Sequence, residues 1–253
     1  MSDNGSYPEF SRLASEDDEV FKLFRRHPSY TTVLEHVSDD IAKKYYKNIK
    51  VTYGLLDEQI FNFCEKLHYV GSPYLVKLFP NIPPISTTAL RYLNTGLQIK
   101  STIATDNIEN VIEIGPGYGG QAVILNELLN IKKYSFVDLK EVNLLIEKFI
   151  SHSNVDFIPK YYSLEDKFNE QYDLIISNFA FSELPRKLQN VAMKKILTKA
   201  NNGFMIMNSH NFNKDYNFLT KEELLSGLSS AKFIDEIPNT SPRGKNYTVT
   251  FSK

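Results

Sequence analysis

The segment that most constrains the fold is a glycine-rich turn, Ile112-Glu-Ile-Gly-Pro-Gly-Tyr-Gly-Gly120. Glycines let a backbone turn tightly and approach a ligand closely. The apolar run over 111–114 predicts a buried strand before the turn, and residues 119–130 predict a helix after it. A strand, a glycine turn and a helix in this order are typical of nucleoside-binding α/β domains.

Short strands alternate with helices throughout the rest of the chain. Further strands are predicted at 134–138, 155–159, 172–177, 203–207, 233–237 and 247–251. Helices are predicted at 141–151 and 185–199, and a capping box from Thr220 to Glu223 opens a short one. This alternation predicts a mostly parallel sheet with helices on both faces, an α/β Rossmann-like domain over residues 106–253.

The first 105 residues are predicted to form helices without intervening strands. Helices are predicted at 16–26, 31–50 and 57–70, and a fourth begins at Ser86, a good N-cap residue, and runs to about Lys100. An aromatic and proline-rich loop, 79–85, leads into that fourth helix. We therefore expect residues 1–105 to form a helical N-terminal cap over the cleft and to carry part of the substrate specificity.

Composition excludes several classes of function. The 253 residues are 42% hydrophobic, carry a net charge of −1 and include no long basic run, which argues against a nucleic-acid partner. A single cysteine rules out an internal disulfide, and no Cys/His cluster has metal-ligand spacing. The N-terminus lacks the pattern of a signal peptide, and no apolar run approaches the ~20 residues of a membrane span. We expect a cytoplasmic protein with a small-molecule substrate, no membrane partner and no metal ligands of the Cys/His type. A magnesium ion held by carboxylates and the oligomeric state are left open.

Two acidic residues decide which cofactor the glycine turn favours. Gly115, Gly117 and Gly120 satisfy the dinucleotide pattern G-x-G-x-x-G, so a nicotinamide cofactor has to be considered. Glu113, however, lies where a pyrophosphate would dock and would repel it, whereas the ammonium of S-adenosylmethionine would be attracted. Asp138 follows the second strand, where a carboxylate can accept hydrogen bonds from both ribose hydroxyls of either cofactor.

Residues 110–253 resemble a class I S-adenosylmethionine-dependent methyltransferase. The resemblance rests on the acid-x-Gly-x-Gly turn, on the acid after strand two, and on the segment Tyr172-Asp-Leu-Ile-Ile-Ser-Asn-Phe-Ala-Phe-Ser-Glu-Leu184. Ile-Gly-Pro-Gly-Tyr-Gly-Gly-Gln-Ala together with Ser-Asn-Phe-Ala-Phe-Ser-Glu-Leu is more specifically similar to bacterial sugar O-methyltransferases of capsule and surface-polysaccharide clusters.

This resemblance implies a seven-stranded sheet whose last strand is antiparallel, with S-adenosylmethionine across the carboxyl ends of the first strands. It also implies methyl transfer to a hydroxyl of a sugar or sugar nucleotide. The residues expected to bind the cofactor are Glu113, Gly115, Gly117, Tyr118, Asp138, Leu139, Asn178 and Phe179.

A hydroxyl acceptor has to lose a proton, and the loops after strands four and five face the methyl group in this fold. His210 is the only histidine that follows strand five, so we expect it to be the general base, with Glu183 as its partner or as the base itself. Substrate contacts are expected from Arg91, Tyr92, Ser182, Asn208 and Asn211. The other histidines, His27, His36, His68 and His152, are expected to lie away from the cleft.

Three alternatives remain open. Methylation of an amine or another small polar acceptor is one, because Asn178-Phe-Ala-Phe181 is similar to the Asn-Pro-Pro-Phe motif of amino-methylating enzymes, although both prolines are missing. A nicotinamide-dependent oxidoreductase is disfavoured by Glu113. A non-catalytic S-adenosylmethionine-binding protein is the third, and it is favoured if His210 and Glu183 point away from the cleft.

Overall fold

A seven-stranded sheet forms the centre of the computed structural model, which describes residues 5–104, 107–208, 217–228, 230–242 and 244–253. The strands follow the order β3-β2-β1-β4-β5-β7-β6. Their bounds are β1 Asn110–Ile114, β2 Lys133–Val137, β3 Ile158–Tyr162, β4 Tyr172–Asn178, β5 Ala200–Met207, β6 Lys232–Asp235 and β7 Tyr247–Ser252.

Strand direction identifies the type of sheet. The five strands β3, β2, β1, β4 and β5 are parallel, and β7 lies antiparallel between β5 and β6. Strand order reverses between β1 and its neighbour β4, with Ile112 opposite Ile175, and ligands of open α/β sheets bind at such a point. The fold is therefore the expected α/β, Rossmann-like seven-stranded sheet, with its last strand antiparallel.

Eleven α-helices and two short 3₁₀ helices are assigned in the described residues. They are α1 Ser6–Glu16, α2 Asp18–Leu23, η1 Phe24–Arg26, α3 Pro28–Thr31, α4 Asp39–Tyr53, α5 Asp57–Glu65, α6 Thr87–Thr102, α7 Gly120–Leu128, α8 Lys140–Ser151, α9 Ala180–Glu183, α10 Arg186–Lys195, η2 Leu197–Lys199 and α11 Lys221–Gly227. No helix in these described ranges has the length and apolar character needed to cross a bilayer.

Helix α6 joins the N-terminal helices to the sheet. The Ser86 hydroxyl accepts a hydrogen bond from the Ala89 N–H at 3.3 Å and so caps the helix as its sequence predicts. Most residues of α6 from Thr88 to Ile99 are buried, because α4 and α5 pack on one side and α7 on the other. A Cβ at Gly96 would lie 2.7 Å from Leu128 Cδ1, so this glycine lets α6 and α7 pack closely.

One hydrophobic core runs from the N-terminal helices into the sheet. It contains Phe10 and Tyr30 of the first 105 residues together with Phe149 of α8 and Ile176 of β4. Helices α1 and α8 pack along each other. The cap thus shares its core with the sheet. A second, smaller core lies on the other face, around β5 and α10.

The observed helices and strands differ from the predicted ones in several places. The helix predicted over 31–50 is divided, because Ser38 caps a new helix at Asp39 and leaves residues 32–38 as a loop. Helix α1 was not predicted, since the polar N-terminus carries few apolar residues. Strand β3 lies three residues later than predicted. It is an edge strand, in which Pro159 is tolerated without its N–H.

Candidate functional site

A cavity of about 500 Å³ opens at the carboxyl ends of β1, β2, β4 and β5. Its walls come from the sheet on one side and from the N-terminal helices and the β6–β7 loop on the other. The lining residues are Tyr7, Val33, Leu34, His36, Val37, Ile41, Tyr45, Arg91, Tyr92, Glu113, Gly115, Pro116, Gly117, Asp138, Asn178, Phe179, Ala180, Glu183, Asn208, Thr240, Ser241, Pro242 and Asn246. A cavity of this volume accommodates a small ligand.

The glycine-rich turn after β1 forms one wall. Gly115 and Gly117 have φ values of +68° and +65°, which non-glycine residues rarely adopt. A Cβ on Gly115 would lie 2.0 Å from the Ala180 Cβ, and one on Gly117 would lie 2.9 Å from Leu34 Cδ1. Both glycines are therefore required for packing of neighbouring segments against the turn as well as for its conformation.

Glu113 is a buried carboxylate that lines the cavity at the end of β1. Its side chain is 1% exposed, and its Oε2 accepts a hydrogen bond from the Tyr134 hydroxyl at 2.7 Å. Burial, with a smaller contribution from the negative charge of Asp138, raises the pKa of Glu113 to about 8 against the opposing effect of the Tyr134 hydrogen bond. A cationic group placed beside this carboxylate would favour its charged form.

Asp138 lies at the end of the neighbouring strand, β2, and lines the same cavity. Its Oδ1 accepts a hydrogen bond from the Leu139 N–H at 2.8 Å. Burial raises the pKa of Asp138 to about 7. The cavity thus brings together two desolvated carboxylates, which can receive hydroxyl or ammonium donors from a ligand.

The turn after β4 carries a strained backbone. Phe179 has φ +70° and ψ −35°, an uncommon conformation for a residue other than glycine, and its N–H donates to the Ile206 carbonyl at 2.8 Å. Asn178 Nδ2 donates to Gln121 Oε1 at 3.3 Å, and its buried Oδ1 has no hydrogen-bond partner among the described residues. Strain and an unsatisfied acceptor at one site are typical of ligand-binding turns.

Glu183 and Asn208 connect the loops after β4 and β5. Asn208 Nδ2 donates to Glu183 Oε1 at 2.8 Å, and the Asn208 N–H donates to the Ser182 hydroxyl at 3.1 Å. The Glu183 side chain is exposed and lies at the cavity wall. The structure therefore brings together two residues that were predicted to act on the substrate.

Most of the opposite wall was not predicted from the sequence. Tyr7 of α1 and four residues of segment 33–37 line it. Glu35 of that segment accepts a hydrogen bond from Arg25 Nε at 2.6 Å, with both side chains buried, and the Arg25 guanidinium lies 4.5 Å from the Tyr118 ring centroid. This buried ion pair connects segment 33–37 to the glycine-rich turn.

The prediction that His36 lies away from the cleft was wrong. His36 is an exposed residue at the cavity wall, because the chain leaves helical geometry between α3 and α4. Desolvation and the positive charge of Arg91 lower its pKa, while Glu183 and Glu35 oppose the shift. The Ser38-Asp39-Asp40 sequence, a helix N-cap signal, could have indicated this loop.

The β6–β7 loop closes the last side. Glu236 is buried, and it accepts hydrogen bonds from the Thr240 N–H and from Asn246 Nδ2, each at 2.9 Å. The Ile237 carbonyl accepts a hydrogen bond from Asn94 Nδ2 of α6 at 3.2 Å. These contacts hold Thr240 and Asn246 against the cavity.

Some expected contacts lie elsewhere or outside the described residues. The Tyr118 ring is fully buried in an aromatic cluster, 4.8 Å from the Phe149 centroid, and its side chain packs in the core instead of lining the cavity. Leu139 and Ser182 are also absent from the described cavity wall. His210 and Asn211 lie within residues 209–216, outside the described residues.

Comparisons with known proteins give only distant structural likenesses. No family model matches the sequence, and no curated protein matches it. The methyltransferase domain of bacterial CtHen1 is 14% identical and has a TM-score of 0.49, covering 64% of this chain and 97% of that domain. The N-methyltransferase NodS from Bradyrhizobium japonicum, in complex with S-adenosylhomocysteine, is 12% identical with a TM-score of 0.49, covering 64% and 86% of the two chains.

The amino pentose methyltransferase CalS10 from Micromonospora echinaspora, with S-adenosylmethionine bound, is 9% identical. Its TM-score is 0.47, and the match covers 64% of this chain and 90% of that chain.

Proposed function

We propose that the chain is an S-adenosylmethionine-dependent O-methyltransferase that acts on a hydroxyl of a sugar or sugar nucleotide, in capsule or surface-polysaccharide biosynthesis. The observation that carries the proposal is the pair of buried carboxylates, Glu113 and Asp138, in one cavity with the glycine-rich turn. The sugar acceptor rests on the sequence resemblance.

The two carboxylates favour this cofactor over a dinucleotide. Glu113 lies at the wall formed by the turn, where an ammonium would stabilise its charged form, whereas a pyrophosphate would be repelled by that form. Asp138 lies one strand further along and is suited to accept hydrogen bonds from a ribose diol. Asn178 Oδ1, buried and without a partner among the described residues, offers a third acceptor.

The chemistry that the cofactor supplies is a methyl group on a positively charged sulfur. Transfer of this methyl group to an acceptor oxygen would leave the carbon–sulfur electron pair on sulfur and would release the acceptor proton to a base. The chain therefore has to hold both reactants in line and to receive one proton.

The loops that follow β4 and β5 are suited to receive that proton. Glu183 is exposed and is held by Asn208 at 2.8 Å, so its second oxygen can accept a proton from the acceptor. His210 remains our proposed base, with Glu183 as its partner or its substitute. His36 adds an imidazole from the cap to the same cavity.

Polar side chains around the rim support a hydroxyl-rich acceptor. Asn178, Asn208 and Thr240 line the cavity together with the aromatic rings of Tyr45 and Tyr92. Amides and hydroxyls can hydrogen-bond to the hydroxyls of a sugar, and aromatic rings offer flat apolar surfaces to its carbon–hydrogen faces.

Calorimetry with S-adenosylhomocysteine and with NAD tests the cofactor. We expect S-adenosylhomocysteine to bind and NAD not to bind. Asp138→Ala should weaken S-adenosylhomocysteine binding by about 1–3 kcal/mol, the usual cost of leaving polar groups unpaired. NAD binding without binding of S-adenosylhomocysteine would overturn the proposal. An unchanged affinity in Asp138→Ala would remove this residue from the ribose site.

The acceptor is tested by incubating the protein and labelled S-adenosylmethionine with sugar nucleotides, DNA and small amines. We expect methyl transfer to a sugar nucleotide. Transfer only to an amine would support the alternative reading, in which the Glu183 carboxylate attracts a cationic acceptor, and would contradict O-methylation.

A further inference from the structure

Arg91 of α6 differs from the other arginines that the structure describes. Arg12, Arg25 and Arg186 each pair with a carboxylate, and Arg26 donates to two backbone carbonyls. Arg91 forms no ion pair within the described residues, yet its Nε is buried and lacks a hydrogen-bond partner. A desolvated guanidinium is costly unless an anion compensates it.

Among the described residues, no carboxylate pairs directly with the Arg91 guanidinium. Its Nη2 donates to the Leu34 carbonyl at 3.4 Å, and its side chain also hydrogen-bonds to that of Tyr92. The guanidinium carbon lies 5.1 Å from the Tyr92 ring centroid. Glu35 and Glu236 act on it from longer range. Each of these carboxylates is already engaged.

The partners of the two carboxylates show why neither can move to Arg91. Glu35 is bound to Arg25 Nε at 2.6 Å, in a pair whose side chains are both buried. Glu236 accepts hydrogen bonds from Thr240 and Asn246. Transfer of either carboxylate to Arg91 would leave other buried groups unpaired, which is costly.

Arg91 also lies close to the glycine-rich turn. Leu34 connects the two, because its carbonyl accepts the hydrogen bond from Arg91 and its side chain packs on Gly117. Arg91 and Glu113 line the same cavity. A ligand group that carries both a carboxylate and an ammonium could therefore find a partner of opposite charge for each.

We propose that Arg91 is an anion receptor, which binds the carboxylate of the cofactor or an anionic group of the acceptor through its guanidinium. Guanidinium groups bind carboxylates and phosphates through parallel N–H donors, and the geometry suits either anion. Binding of the cofactor carboxylate rests on the proposed function, whereas binding of an anionic group of the acceptor does not require that cofactor.

The experiment compares two thioadenosines by calorimetry. S-adenosylhomocysteine carries an amino-acid end, and 5′-methylthioadenosine lacks it. If Arg91 holds the cofactor carboxylate, Arg91→Gln weakens S-adenosylhomocysteine binding at least about tenfold and leaves 5′-methylthioadenosine binding unchanged. Unchanged binding of the second ligand also shows that the variant folds.

The second arm uses inorganic phosphate and uridine diphosphate, added in the presence and absence of saturating S-adenosylhomocysteine. If Arg91 holds an acceptor phosphate, the wild-type protein binds at least one of these probes and Arg91→Gln loses it. This result stands even where no thioadenosine binds, so failure of the cofactor proposal is distinguished from failure of the receptor.

Two further variants complete the design. Arg91→Lys keeps the charge and should retain part of the affinity, and it replaces the glutamine variant if that variant does not fold. Arg26→Gln is the matched control, because Arg26 donates to the Ser72 carbonyl at 2.6 Å and does not line the cavity. Wild-type affinity of Arg91→Gln for every probe that the native protein binds would overturn the proposal.

Discussion

Leu34 packs its side chain against Gly117, so closely that a Cβ on this glycine would lie 2.9 Å from Leu34 Cδ1. This contact joins segment 33–37 of the N-terminal cap to the turn that follows β1. The position of segment 33–37 in the cavity wall therefore depends on the absence of a side chain at Gly117.

Gly117→Ala is expected to weaken S-adenosylhomocysteine binding at least about tenfold, as measured by calorimetry. Alanine at positive φ costs about 1–2 kcal/mol, and the new methyl group also displaces Leu34. Gly54→Ala is the control, because Gly54 has a φ of +69° but no atom within 4 Å of its Cβ position. That variant should lose stability through strain and keep its affinity; equal losses of affinity in both variants would contradict the argument.

The affinity for S-adenosylhomocysteine should depend on pH through Glu113. The ligand ammonium favours a charged carboxylate, whereas burial raises the pKa of Glu113 to about 8. Binding below pH 8 therefore has to release a proton, and affinity should fall as pH falls, by up to about tenfold per pH unit for each proton released. Glu113→Gln should remove most of the slope between pH 7 and 8, where Asp138, with a pKa of about 7, contributes less. A slope unchanged by the substitution would exclude Glu113 from the ammonium site.

The raised pKa of Glu113 also predicts how stability depends on pH. Stability should fall as pH rises, whereas affinity should increase. The pKa of Glu113 in the folded protein lies above its ordinary value of 4.5, so the unfolded chain loses this proton first as pH rises. The free energy of unfolding of the free protein should therefore fall between about pH 4.5 and pH 8. Glu113→Gln should flatten this part of the curve and raise the melting temperature at pH 8 while weakening ligand binding, as measured by thermal unfolding.

Proton removal from the acceptor should depend on Glu183, either as the base or as the partner of His210. Glu183→Gln is expected to lower kcat by about 10²–10⁴ while leaving the affinity for S-adenosylhomocysteine nearly unchanged. The measurement is kcat across pH with the sugar nucleotide that accepts a methyl group. His210→Ala should show a loss of similar size.

His36→Gln and His152→Ala extend that experiment. His152 is exposed and is hydrogen-bonded to the Lys148 carbonyl at 2.8 Å, so its loss should not affect turnover. Wild-type kcat in Glu183→Gln and His210→Ala, together with a large loss in His36→Gln, would show that the cap supplies the base.

The cap should be required for folding as well as for turnover. A truncated chain that begins at Asn107 lacks α6, whose Leu90, Leu93 and Ile99 are fully buried in the shared core. Loss of several such side chains costs about 2–5 kcal/mol each, which exceeds the stability of an ordinary domain. We expect no cooperative thermal unfolding by circular dichroism and no turnover. Full turnover of the truncated chain would contradict this prediction and the expected role of residues 1–105 as a cap over the cleft.

The sequence by itself determined the type of sheet and the sheet side of the cavity. Gly115, Gly117, Glu113 and Asp138 were recognisable because they lie next to strands, where local pattern and turn chemistry fix the backbone and the edge of the sheet brings the strand ends together. Helix α6 could likewise be predicted from its N-cap residue, Ser86.

Only the tertiary structure decided the opposite wall. Tyr7, segment 33–37 and the β6–β7 loop reach the cavity through contacts between residues far apart in the chain, such as Arg25 with Glu35 and Asn94 with the Ile237 carbonyl. Helical periodicity continues through residues 31–50, but the Ser38 cap and the buried ion pair favour a loop there. Burial of a tyrosine such as Tyr118, or of a guanidinium such as Arg91, depends on what packs around it, and local sequence does not contain that information.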